Sequence, residues 1–152
     1  MQNRGVDLIV YDDKDQAVLL VEVKGRVGTS EQWAAQYRRN LLSHGTLPQA
    51  PYFLIATADR LYFWKQNHSG NSEELPTFTM NAAEEFKPYL EGHKQSLNEI
   101  GEEALVYILV SWLNDLQQTI VQKLKQEPAL YWLVESGLID SLAEGHLQMA
   151  VA

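Results

Sequence analysis

The 152 residues contain no cysteine, which excludes disulfides, thiol nucleophiles, iron–sulfur clusters and zinc sites built on thiolates. Long apolar runs are missing as well. The longest, Ala104–Val110, falls far short of the roughly 20 residues that cross a bilayer, so no membrane partner is expected. The opening Met1-Gln2-Asn3-Arg4 leads straight into a strand-like pattern without the apolar stretch of a secretory signal, and the expected location is the cytoplasm. No glycine-rich phosphate loop and no nucleophile elbow around a serine occurs. The four histidines, His44, His68, His93 and His146, are dispersed without metal-ligand spacing and read as surface or turn residues.

Net positive charge is also lacking. The chain carries −8 overall, which at first sight opposes a nucleic-acid partner, because phosphate contacts need Lys and Arg. The charge is uneven, however. Residues 1–65 hold eight Lys/Arg against seven Asp/Glu, whereas residues 66–152 hold four against thirteen. The acidity therefore belongs to the second half, where it reads as a solvated face, and the first half remains able to bind anions.

What is present is an ordinary globular balance, 45 % apolar and 21 % charged, over a length that suits one domain. Val6–Tyr11 and Ala17–Lys24 read as strands separated by the turn Asp12-Asp13-Lys14-Asp15-Gln16. A helix follows over Glu31–Ser43, capped either by Thr29 with Gln32 or by Ser30. Tyr52–Thr57 and Arg60–Lys65 read as two further strands, and Asn67–Glu74 as a loop. The aromatic strand residues Tyr62, Phe63 and Trp64 offer rings for base stacking, but packing beneath helices is the plainer reading. Beyond that, Ala82–Glu91 predicts a short helix interrupted or restarted at Pro88. Leu97–Gln126 predicts a long helix that is core and, with Trp112 and Trp132, also a candidate subunit interface. Ala129–Ser136 and Ser141–Ala150 predict helical pieces around Gly137. The chain thus divides into an α/β core (1–66), a connecting segment (67–96) and a helical C-terminal region (97–152), within a single domain.

The first hairpin carries the chemistry. If Asp12 and Ala17 close a four-residue loop, Asp7 falls opposite Glu22, with Cβ atoms roughly 4.5–5.5 Å apart. Lys24 lies two residues on and shares their face, while Val21 and Val23 point into the core. Opposed carboxylates repel, and a hard divalent cation offsets that cost by drawing on one or two carboxylates plus water and phosphate. A neighbouring ammonium can hold a metal-bound water or balance charge on a phosphate.

Asp7 followed by Glu22-Val23-Lys24 at the end of the next strand resembles the PD-(D/E)XK nuclease superfamily. Gly25, the helix with Gln36-Tyr37 and the strand Tyr52–Thr57 follow in the same order. Asp59-Arg60-Leu61-Tyr62-Phe63-Trp64-Lys65 is similar to the next strand in nuclease domains of type I restriction subunits. The resemblance spans about residues 4–65. It implies a restriction-endonuclease-like mixed sheet with a helical C-terminal part. It also implies Mg²⁺, or Mn²⁺ in its place, bound by Asp7, Glu22 and the carbonyl of Val23, with Lys24 orienting or activating water and Gln36 supporting the site. Arg26, Arg38 and Arg39 are the candidates for phosphate contacts. The expected activity is endonucleolytic hydrolysis of DNA leaving a 5′-phosphate and a 3′-hydroxyl, with a homodimer through the C-terminal helices. The alternative is a non-catalytic interaction subunit built on a nuclease-like scaffold. Two departures stand out: Val6 occupies the place of the usual proline, and the customary N-terminal helix and strand are lacking, since only six residues precede Asp7. Either the chain starts late, or the C-terminal helix replaces that element, or a partner does, with Glu99, Glu102 and Glu103 as candidates for the acidic residue it supplies.

Overall fold

The computed structural model describes residues 5–44, 47–65, 73–91, 97–118, 128, 131–142 and 146–149. It is α/β, with one six-stranded mixed sheet between helices. The strands are β1 (Leu8–Tyr11), β2 (Ala17–Lys24), β3 (Tyr52–Thr57), β4 (Arg60–Lys65), β5 (Phe78–Asn81) and β6 (His146–Met149). They lie in the order β5-β4-β3-β2-β1-β6. Only β2 and β3 run parallel; every other neighbouring pair is antiparallel. The helices are α1 (Glu31–His44), α2 (Ala82–Glu85), α3 (Lys87–Leu90), α4 (Leu97–Ile100), α5 (Glu102–Gln118), α6 (Tyr131–Glu135) and α7 (Leu138–Leu142). No helix among the described residues is long and apolar enough to cross a membrane.

Strand β2 is apolar at nearly every position because both sides of the sheet are covered. One face, with Ile9, Leu20, Phe53, Ile55, Tyr62 and Trp64, packs beneath α1. The other, with Val10, Val21, Val23, Leu54 and Phe63, packs against α5, α6 and α7. On that side Trp132 sits between Phe63, 4.9 Å away between ring centroids, and Trp112, 6.2 Å away. Both tryptophans are buried within the chain, which removes them from any subunit interface. Tyr62, Phe63 and Trp64 are buried too, so the aromatic strand is core.

The pairing of β1 with β2 follows the expected register for Leu8↔Val21, Ile9↔Leu20 and Val10↔Leu19. A bulge then shifts Tyr11 onto Ala17. Asp12 closes the turn by accepting the N–H groups of Lys14 (2.8 Å) and Gln16 (2.9 Å) on Oδ1. Helix α1 is capped by Ser30, whose Oγ accepts the N–H of Trp33 at 3.1 Å. Thr29 instead shares a hydrogen bond with the Tyr62 hydroxyl at 2.7 Å.

The second half departs from expectation in three places. Phe78–Asn81 forms edge strand β5, which the sequence reading left without structure. The long helix is broken at Gly101, whose φ of +86° separates α4 from α5; its continuation over 119–126 lies outside the described residues. His146–Met149, expected within a helix, is a strand paired to β1, so the C-terminal region is not wholly helical. The reason is tertiary. The outer edge of β1 has N–H and C=O groups to satisfy, and a segment with alternating Leu and Met can meet them as readily as it can coil.

Candidate active site

Strand β1 ends just after Asp7 on the chain's way in, while β2 runs on to Lys24. The Asp7 N–H still donates to the Val21 carbonyl at 2.9 Å. One step further along β2, the Val23 N–H has no backbone neighbour on that side and donates to Asp7 Oδ2 at 2.8 Å. In a strand, the N–H and C=O of one residue point to the same edge. The Val23 carbonyl therefore points past the end of β1, alongside the Asp7 carboxylate.

Glu22 projects from β2 onto the α1 side and is 6 % exposed. Asp7 lies close enough to act on its carboxyl by hydrogen bonding and charge, and Glu22 Oε2 accepts the Tyr37 hydroxyl at 2.9 Å. Burial, followed by the hydrogen bond and the repulsion from Asp7, pushes the Glu22 carboxyl up to about 8, against the opposing pull of Tyr37 and Lys24. The Glu22 carboxyl therefore keeps its proton at neutral pH in the absence of a cation.

Lys24 Nζ lies 3.9 Å from Glu22 Oε2 and 5.4 Å from the centroid of the Tyr37 ring. Contact with the Tyr37 hydroxyl, and then the charges of Glu22 and Glu102, raise the Lys24 ammonium above its ordinary value despite partial burial. Lys24 is consequently a fixed cation rather than a proton acceptor.

Two further residues adjoin the pair: Tyr37, which the sequence reading did not place in the site, and Glu102, one of its three candidate acids. Tyr37, partly buried and one position after Gln36, is the α1 side chain that reaches Glu22. Gln36 is exposed and makes no hydrogen bond to the carboxyl pair. One residue along a helix turns a side chain by about 100°, so the supporting role passes from Gln36 to Tyr37. The signal was the aromatic pair Trp33 and Tyr37, four apart on one helix face, whose rings meet edge to face at 5.3 Å. The second residue is Glu102. Among the candidate acids, Glu102 reaches the hairpin, accepting the Gly25 N–H on Oε1 at 2.9 Å. A Cβ at Gly25 would lie only 3.3 Å from the Glu102 Cβ, so the glycine is what lets α5 approach so closely.

The basic candidates separate. Arg26 is exposed on the loop after β2, with its guanidinium 5.5 Å from the Trp33 ring centroid. Arg38 does not face solvent: its side chain is fully buried over Trp64, 5.4 Å from the ring centroid, and burial lowers its pKa. A surface phosphate contact is therefore withdrawn for Arg38. Arg39 pairs with Glu73 at 3.3 Å and lies about 200° round the helix from Tyr37, directed away from the carboxyls.

Among the described residues no group of three or more His, Asp or Glu side chains is placed to hold a metal ion. A cation here would draw on the Asp7 and Glu22 carboxylates, the Val23 carbonyl, water and substrate oxygens. That oxygen-only set suits Mg²⁺ or Mn²⁺. No protein-family model, curated protein or solved structure matches this chain.

Proposed function

We propose that this chain is a metal-dependent nuclease hydrolysing phosphodiester bonds in DNA, with Asp7, Glu22 and Lys24 as its working groups. The observation that carries this reading is the buried Glu22 carboxyl held against Asp7, with the Lys24 ammonium 3.9 Å from it. A sheet that served packing alone would be better off with an apolar residue at position 22, because burying a carboxyl beside another costs stability.

Asp7 and Glu22 would anchor a divalent cation, with the Val23 carbonyl on the same edge. When bound, the cation supplies Lewis acidity at the scissile phosphate and activates water. Lys24, held charged, orients that water and balances the charge that builds on the phosphate oxygens. Tyr37 fixes the Glu22 carboxyl through its hydroxyl. Glu102 fixes the backbone immediately after Lys24. The test is cleavage of labelled single- and double-stranded DNA in Mg²⁺ or Mn²⁺. Wild-type cutting that disappears with chelator and in Lys24→Ala supports the reading; no cutting by a folded wild type overturns it.

One observation favours a second reading, an interaction subunit on the same scaffold: among the described residues only two acidic side chains converge at the centre of the site. Mn²⁺ titration separates the two. An interaction subunit shows neither heat of binding nor thermal stabilisation, whereas the nuclease shows both and loses them in Glu22→Gln.

A further inference from the structure

We propose that the site takes an unpaired stretch of nucleic acid, and that the loop between β2 and α1 is the surface that contacts it. This rests on the nuclease reading and adds the substrate class. The loop is pinned from three directions. The Gly25 N–H donates to Glu102 Oε1 (2.9 Å), the Gly28 N–H to Asp59 Oδ2 (3.1 Å), and the Arg26 carbonyl accepts the Ala58 N–H (3.0 Å). A segment so held is organised before any ligand arrives. Yet its tip presents Val27, 54 % exposed, one of the few large apolar side chains left in solvent among the described residues.

A continuous row of groups connects this tip to the carboxyl pair. Glu22 bonds to Tyr37, Tyr37 meets Trp33 edge to face, and the Arg26 guanidinium lies over Trp33. A guanidinium held over an indole offers a further planar group, and single-stranded bases stack on such planes while cations track their phosphates. Val27 beside it offers apolar contact to a base, which a duplex keeps inside its stack.

Charge supports the same class. Duplex binding is carried by many phosphate contacts. Of the four basic residues at 24, 26, 38 and 39, Arg38 is buried and Arg39 is committed to Glu73. Lys24 and Arg26 remain at the site, with exposed Arg60 beside the loop that Asp59 holds, enough for a short single-stranded segment and few for a duplex.

The experiment measures binding by fluorescence anisotropy in Ca²⁺, using a labelled deoxythymidine oligonucleotide and a hairpin duplex of the same length. Wild type, Arg26→Ala, Arg26→Lys and Val27→Asp are compared, and cleavage in Mg²⁺ is recorded in parallel. The expected result is at least tenfold tighter binding of the single strand. Each substitution should weaken that binding about five- to tenfold, Arg26→Lys included, because it keeps the charge and loses the stacking plane. Equal or tighter duplex binding, no binding of the single strand, or loop variants that bind it like wild type overturns the proposal. Absence of cleavage alongside the expected binding overturns the nuclease reading alone and leaves the single-strand surface supported.

Discussion

The Tyr37 hydroxyl donates to Glu22 Oε2 at 2.9 Å, and the same phenol lies beside the Lys24 ammonium. One α1 side chain therefore positions both working groups of β2. Tyr37→Phe keeps the ring and its contact with Trp33 and removes only the hydroxyl. Stability should fall by about 1 kcal/mol, the usual net worth of such a bond. Cleavage should fall by about tenfold or more through misplacement of Glu22 and Lys24. Paired melting curves and cleavage rates check both.

The Glu22 carboxyl is raised by burial and by Asp7 to about 8. In chelator the unfolded chain ionises first, near 4.5, so stability falls as pH rises from there to about 8. Glu22→Gln has no such proton to lose and should be the more stable protein at pH 8 without metal, by on the order of 4 kcal/mol. Urea titrations in chelator measure the gain. Adding Mn²⁺ should stabilise the wild type and leave the variant unchanged.

A second buried carboxyl lies far from the site. Glu85 is 3 % exposed, accepts the Trp132 Nε1–H at 2.9 Å, and is pushed up by burial to about 7. Below pH 4.5 it is protonated folded or unfolded and costs nothing. Between 4.5 and 7 the unfolded chain ionises first and stability falls, levelling off above 7. Glu85→Gln keeps an acceptor for Trp132 and should flatten this portion of the profile, gaining about 3 kcal/mol at pH 8.

Gly25→Ala places a methyl 3.3 Å from the Glu102 Cβ and 3.4 Å from its backbone nitrogen. The helix terminus must give way, at a cost of about 1–2 kcal/mol, and the Gly25–Glu102 bond with it. Glu102→Ala removes the bond without the clash. It should reduce cleavage several-fold with little loss of stability, and kinetics of the two variants separate the effects.

How much of this was legible beforehand follows from the range of the forces involved. Helix α1, β3 and β4 match their expected spans almost residue for residue, because local periodicity and turn residues bound them. The meeting of Asp7 and Glu22 followed from hairpin register alone, since a slip by one residue would have turned Val21 and Val23 out of the core. Tyr37 was visible as a residue but not as a partner. Choosing it over Gln36 needed the helix's rotation over the sheet, which packing decides. Gly101 carried a local signal, a glycine immediately before Glu102 and Glu103, hidden by apolar positions that keep helical spacing on both sides. Strands β5 and β6 carried little. Short edge strands take their conformation from the neighbour whose backbone they satisfy, and the neighbour of β6 is at the other end of the chain.

That last pairing reaches into biogenesis. Leu8 lies opposite Met149 and Tyr11 opposite His146, so β1, the strand leading out of Asp7, gains its second neighbour only after residue 149 has been made. On a translating ribosome the hairpin bearing Asp7 and Glu22 would emerge early with a bare edge, and Glu102 would follow long after Gly25. Contacts so distant in sequence form late, so the open edge of β1 and the Gly25–Glu102 bond close only after the hairpin itself has formed.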